Sequence, residues 1–220
     1  MSSSEHFTLR VDDADFSCTY EQPDTPTATV IIAHGAGAGM DHPFLLGFSN
    51  AVNNAGFATL RFNFPYMEQG RRFPDRPPKA IAAWREVMAH AQERTREGPV
   101  WACGKSFGGR MASMAAAEGM DAAGLIFLGY PLHPPGKPEK VRDEHLVHIH
   151  MPMLFLQGSN DAFARKELLN RVVAKLGDRA TLQYVPDADH SFAVKGAKRS
   201  PLEIGASLAP AAASFIARSG

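Results

Sequence analysis

The sequence predicts an α/β protein: a mostly parallel sheet of about eight strands, helices on both faces, and an antiparallel hairpin at the N-terminus. Three observations carry this. Short apolar runs recur at Thr29–His34, Phe57–Phe62, Val100–Cys103, Leu125–Tyr130, Met153–Gly158 and Thr181–Val185; continuous runs of this kind suit strands buried on both faces. Segments with apolar residues at helical spacing alternate with them, the βαβ order of a parallel sheet. The first two strands, Phe7–Val11 and Phe16–Tyr20, instead alternate apolar and polar residues around Asp12, Asp13 and Asp15, as a hairpin with one wet face would.

Composition narrows the class. A chain of 220 residues is long enough for one domain, 1–220, with a sizeable core and no large cap. Hydrophobic content is 45%, charged content 21% and formal net charge +0. No global field therefore directs the chain to nucleic acid or to an anionic membrane. Two cysteines, Cys18 and Cys103, argue for a reducing compartment rather than a disulfide framework. The first six residues lack the basic and apolar regions of a signal peptide, and no apolar run approaches the ~20 residues that span a bilayer. The expectation is a soluble cytoplasmic protein acting on a small molecule, with no metal or cofactor.

Taken in order, the elements follow from local signals. After the hairpin, Pro23, Asp24 and Pro26 break the chain. The first buried strand ends in His34-Gly35-Ala36-Gly37-Ala38-Gly39. This loop fails the P-loop spacing, and Met40 stands where a dinucleotide fingerprint needs Gly or Ala. Residues 41–54 carry Phe44, Leu45, Phe48 and Val52 at helical spacing, with Asp41 as N-cap and Gly56 as terminator. A long loop over 63–78 brings Arg71, Arg72 and Arg76, with Lys79 just beyond. Loops are polar by default; at the carboxyl end of a strand this one could select an anionic substrate. Tyr66 and His133 complete the candidate substrate-binding set. The next helix, about 79–96, turns Ile81, Trp84, Val87, Met88 and Ala91 inward. The segment 131–152 holds His133, His145, His148 and His150 at irregular spacing that does not suit a zinc site, and a short helix is expected over 139–149. Helices over 165–176 and about 201–217 complete the chain.

The stretch with chemical content is Val100–Arg110. It reads strand, then Gly104-Lys105-Ser106-Phe107-Gly108, then helix. That is the pattern of a nucleophile elbow, where a serine sits on a strained strand-to-helix turn. Glycines two residues before and after remove side chains that would clash there. A chemically silent glycine-rich turn would share the pentapeptide, so its partners matter. Ser106, Asp161 and His190 each follow a strand at its carboxyl end, in the order nucleophile, acid, base. His190 would accept the serine proton and Asp161 would orient the imidazole. Asp187 and Asp189 are rival acids, though Asp189 adjoins His190 too closely to reach its ring well. The N–H of Phe107 and that of Ala36 or Gly37 would bind an oxyanion. His34 is read as structural beneath its glycine-rich loop.

These residues carry a family resemblance over nearly the whole chain. Ala33–Gly37, Phe64–Met67, Gly104–Gly109, Tyr130–Lys137 and Gln157–Asp161 resemble the α/β-hydrolase superfamily, and more narrowly its small, cap-poor group distantly related to dienelactone hydrolases. The resemblance implies the α/β-hydrolase fold and a Ser–Asp–His triad. Ser106 stands where dienelactone hydrolases use cysteine and dehalogenases aspartate, which disfavours both activities. The expected function is metal-independent hydrolysis of a small ester or thioester. Peptidase or acyltransferase chemistry on the same triad, or a non-catalytic partner-binding scaffold, are the alternatives.

Overall fold

A computed structural model describes residues 3–71, 73–95 and 98–219. Strands β1 (Ser3–Val11) and β2 (Ala14–Gln22) form the hairpin in antiparallel register, Val11 opposite Ala14. The two-residue turn between them places Asp12 at φ 52°, which an Asp side chain tolerates. One face is wet: β1 is largely exposed, while Phe16, Cys18 and Tyr20 of β2 are buried.

Strand β3 (Thr29–Ala33) is buried at every position, as its unbroken apolar run requires. Helix α1 (Pro43–Asn54) returns the chain to β4 (Ala58–Phe62), which pairs parallel to β3 on one side and antiparallel to β2 on the other. A short helix α2 (Pro65–Glu68) and the long α3 (Pro77–Thr95) then lead to β5 (Val100–Lys105). Helix α4 (Phe107–Ala117), β6 (Gly124–Leu128), β7 (Met153–Gly158), α5 (Lys166–Leu176), β8 (Ala180–Val185) and α6 (Pro201–Ser219) follow.

The eight strands lie in the order β1-β2-β4-β3-β5-β6-β7-β8. From β3 the chain steps outward to β4, then crosses back over β3 to β5 and proceeds in the opposite direction. The β3/β5 boundary is therefore the topological switch point, where a crevice opens beyond the carboxyl ends of parallel strands. One face of the sheet is covered by α3, α4 and α5, with Trp84, Met111 and Leu169 among the buried residues. The other is covered by α1 and α6, with Phe48, Leu208 and Phe215. These helices cross closely: a Cβ on Gly47 would lie 2.0 Å from the carbonyl oxygen of Leu202, and one on Gly205 would lie 1.9 Å from that of Phe44.

Three local expectations are corrected. The N-cap of α1 is His42, whose Nδ1 accepts from the N–H of Phe44 at 3.3 Å. Pro43 at the first helical position starts the helix one residue later than Asp41 would cap it, and Asp41 pairs instead with the buried Arg61 at 2.5 Å. The loop after β4 is shorter than expected because it folds into α2 and because α3 begins at Pro77. The helix expected over 139–149 is a single 3-10 turn, Leu146–His148. Tertiary bonds claim the backbone instead: the N–H of Arg142 donates to Leu132 O at 2.8 Å, and its carbonyl accepts from the Tyr130 hydroxyl at 2.9 Å.

Candidate active site

Ser106 sits between β5 and α4 at φ 49°, ψ −112°, a region costly for any residue with a Cβ. The glycines allow the turn to close. A Cβ on Gly104 would lie 2.2 Å from Gly109 N, and one on Gly108 would lie 2.6 Å from His34 O; real Cβ atoms do not approach so closely. The N–H of Ser106 donates to Leu128 O at 3.1 Å, which ties the turn to β6.

Asp161 follows β7 and His190 follows β8, and the structure brings both to Ser106. Nδ1 of His190 lies 2.7 Å from Asp161 Oδ2, and Nε2 lies 2.8 Å from Ser106 Oγ. A carboxylate only accepts, so the Nδ1–H donates to Asp161 and the bare Nε2 accepts from the serine hydroxyl. The Asp161 side chain is fully buried, at 0% exposure. It also accepts from Gln157 Nε2 at 2.6 Å and from the N–H of Phe163 at 2.7 Å. Gln157 is itself fixed, its Oε1 accepting from Tyr130 N at 2.8 Å. The His190 ring stacks on Phe163 with centroids 4.1 Å apart.

The rival acids point elsewhere. Asp189 Oδ1 accepts from the N–H groups of Ser191 and Ala193, at 2.8 and 3.0 Å, and so caps its own turn. Asp187 has φ 57° and is held through its backbone by Ser159 Oγ and Asn160 Nδ2.

The glycine-rich loop after β3 lies against Ser106: a Cβ on Gly35 would be 3.7 Å from that of the serine. His34 and Tyr66 hold it from behind. His34 is fully buried, donates from Nδ1 to Gly35 O at 2.7 Å, and accepts from the N–H of Phe64 at Nε2 at 3.0 Å. Burial pushes its pKa down to about 4, so the ring stays neutral. The Tyr66 hydroxyl donates to Ala36 O at 3.0 Å. With the carbonyls occupied behind, the N–H groups of Ala36, Gly37 and Phe107 have no hydrogen-bond partner among the described residues.

Lys105 runs beneath the same loop. Its Nζ donates to His190 O at 2.7 Å and lies 5.5 Å from the Phe192 ring centroid. Burial lowers its pKa to about 8 against the opposing charges of Asp161 and Asp189. Strand β5 and the turn that carries His190 are thus linked by the Lys105 side chain as well as by the Ser106–His190 hydrogen bond.

Above Ser106 opens a cavity of about 590 Å³, within the usual range for small-molecule sites. Phe44 and Leu45 of α1, Ile204 of α6, Phe163 and Ala193 give it apolar walls, and Ala36, Gly37 and His190 line its floor. Three of the expected substrate-binding residues, Arg71, Tyr66 and His133, do not line it. Arg71 pairs with Asp75 at 2.5 Å, neutralising a buried carboxylate that also accepts from Tyr66 N. Tyr66 is spent on the loop carbonyls. His133 is buried, its Nδ1 donating to Pro134 O and its Nε2 accepting from Arg165 N, both at 2.9 Å. Arg72 lies outside the described residues. His145 bonds Ser113 Oγ at 2.8 Å, and among the described residues no group of three or more His, Cys, Asp or Glu could hold a metal ion.

The residues that sequence reasoning missed are Gln157 and Phe163. Gln157 carried a signal, as the one polar side chain in the buried run Met153–Gly158. Phe163 carried none, because its stacking depends on where β8 delivers His190.

Known proteins share this architecture. A dienelactone hydrolase from Anabaena variabilis superposes with a TM-score of 0.78 at 19% identity, covering 99% of this chain and 98% of that one. A serine hydrolase without lid from Xanthomonas campestris gives 0.70 at 22% identity, covering 86% of each chain. An alpha-beta serine hydrolase homologue from Coxiella burnetii gives 0.71 at 20% identity, covering 84% of this chain and 88% of that one. At these identities the likeness is one of fold. A family model described as an alpha/beta hydrolase domain matches residues 26–218 of the sequence itself, from just before the first buried strand to the last turn of α6, and the chain belongs to that family.

Proposed function

We propose that the protein is a serine hydrolase that cleaves a small ester or thioester through an acyl-enzyme on Ser106. The observation that carries this reading is the continuous hydrogen-bonded line Ser106 Oγ–His190 Nε2, His190 Nδ1–Asp161 Oδ2 at the floor of an apolar cavity. A serine hydroxyl is a weak nucleophile until a base takes its proton. His190 removes that proton as Oγ attacks the carbonyl, and the imidazolium is stabilised by buried Asp161. The tetrahedral oxyanion is bound by the N–H of Phe107 and by that of Ala36 or Gly37. His190 then protonates the departing alcohol or thiol. In the second half a water, deprotonated by His190, attacks the acyl carbon and releases the acid. Fixed donors aimed at the developing charge are worth ~10²–10³ in turnover each, which gives the His34 and Tyr66 contacts behind the loop a catalytic purpose. No metal or cofactor takes part in this scheme.

The test is labelling with a fluorophosphonate probe. Labelling at Ser106 that is abolished in Ser106→Ala and strongly reduced in His190→Ala is the expected result. An unlabelled, well-folded wild-type protein would overturn the reading and return the chain to a non-catalytic scaffold.

A further inference from the structure

Expected anion selectivity lay in the loop after β4, but its described cations Arg71 and Arg76 do not line the cavity, and Arg71 is paired with Asp75. Another basic segment takes that place. Between β8 and α6 the chain reads Ala193-Val194-Lys195-Gly196-Ala197-Lys198-Arg199. It is held as a turn: Val194 bridges to Ala188, Ala197 N donates to Val194 O at 3.0 Å, and Gly196 adopts φ 86°. Ala193 and Arg199 at its two ends both line the cavity, and Lys195 and Lys198 lie between them on the same turn. All three cations are exposed.

Of the three, Arg199 has the Glu203 carboxylate within electrostatic reach. Among the described residues, Lys195, Lys198 and Arg199 form no ion pair within 4.0 Å. Arg199 donates to the backbone carbonyl of Glu203 at 2.9 Å, while the Glu203 carboxylate accepts from Ser200 N and Oγ at 2.7 and 2.8 Å. No acidic residue lines the cavity among the described residues. Apolar walls on α1 and α6 therefore meet Arg199 and the cationic turn that it ends.

We propose that the loop 195–199 holds a negatively charged head group of the substrate, a carboxylate or a phosphate, while the acyl arm occupies the apolar cavity above Ser106. This rests on the hydrolase reading given above and supplies its substrate class: esters or thioesters of an apolar acid with an anionic alcohol or thiol part. The geometry suits it, because the leaving group must remain in reach of His190 and of solvent, and Ser191 and Ala193 of the histidine turn line the same cavity.

The experiment uses three hexanoate esters that differ only in the head group: ethyl, carboxymethyl and phosphoethyl. In the wild type at low salt, kcat/KM for one or both charged esters should exceed that for the ethyl ester by about three- to thirty-fold, as two or three surface charge pairs allow. High salt should erase the preference. Whichever charged ester leads identifies the head group. The preference should collapse in Lys198→Gln/Arg199→Gln and in Lys195→Gln/Lys198→Gln, which leaves the Arg199–Glu203 bond in place. It should persist in Arg171→Gln/Lys175→Gln, an equal charge change on α5. No preference, or equal loss in the α5 control, overturns the proposal. Binding of the same esters to Ser106→Ala, followed by calorimetry, separates the two readings. Tighter binding of charged esters without wild-type turnover of any ester keeps the head-group site and defeats the hydrolase. Turnover with equal binding of all three does the reverse.

Discussion

Replacing Asp161 by Asn tests the proposed acid of the triad with almost no change of shape. The buried carboxylate accepts three hydrogen bonds, from His190 Nδ1, Gln157 Nε2 and Phe163 N, at 2.7, 2.6 and 2.7 Å. A carboxamide cannot accept all three. With its NH₂ toward His190, it drives the imidazole into the tautomer whose Nε2 carries the hydrogen, and that nitrogen cannot take the Ser106 proton. It also opposes the Gln157 amide, which cannot turn over because Tyr130 N holds its Oε1. With the NH₂ reversed, the tautomer survives, but Phe163 N–H is orphaned and the imidazolium loses its anion. Either way kcat should fall about 10³–10⁴-fold, ~4–5.5 kcal/mol of barrier. One buried donor left unsatisfied costs ~1–3 kcal/mol, or a Tm lower by ~2–12 °C for a chain of this size. Asp189→Asn is the control, since Asn keeps the Oδ1 that accepts from Ser191 and Ala193. The assay is turnover of 4-nitrophenyl acetate at neutral pH beside a thermal melt. An Asp161→Asn protein retaining more than a tenth of wild-type kcat, or an Asp189→Asn protein falling as far, would refute the assignment.

Three further expectations follow from the same geometry. Gln157→Leu removes a donor from Asp161 and the acceptor for Tyr130 N–H, so kcat should drop about tenfold and stability by ~1–3 kcal/mol, read from turnover and denaturant unfolding. Gly104→Ala drives a Cβ to 2.2 Å from Gly109 N, backbone that cannot give way; a loss of ~3 kcal/mol or more in a denaturant titration is expected. His34 has a pKa of about 4 in the fold against 6.5 unfolded, so the unfolded chain binds the extra proton first as pH falls. Stability should therefore decline from about pH 6.5 toward pH 4, and His34→Gln should lack that part of the decline in melts across the window.

What the sequence displayed depended on how local the cause was. Strand β3 and the Ser106 turn were legible because their rules are written in adjacent residues: an unbroken apolar run and two flanking glycines. The meeting of Ser106, Asp161 and His190 was legible because a parallel sheet puts every strand's carboxyl end on one side, so Asp161 and His190 needed only to follow a strand. The cavity wall was not. Arg71 looked free in the sequence, but Asp75 four residues on captures it, and burial of that carboxylate is a tertiary fact. Arg199 carried no sequence signal, because its place on the cavity depends on how the chain turns between β8 and α6. The expected helix over 139–149 failed for a similar reason, as Arg142 found partners on Leu132 and Tyr130.

The close crossing of α1 and α6 at Gly47 and Gly205 divides the molecule's labour. Ser106, Asp161 and His190, the proposed reacting groups, stand on loops at the strand ends, whereas two apolar walls of the cavity, Phe44–Leu45 and Ile204, come from that one pair of helices. Shape selection and bond-making thus rest on separate foundations. Changing the bulk of Phe44, Leu45 or Ile204 would resize the chamber while leaving the Ser106–His190 line anchored to the sheet. On the proposed ester or thioester chemistry, a scaffold so partitioned can drift from one acyl length to another in single steps, without passing through an inactive intermediate.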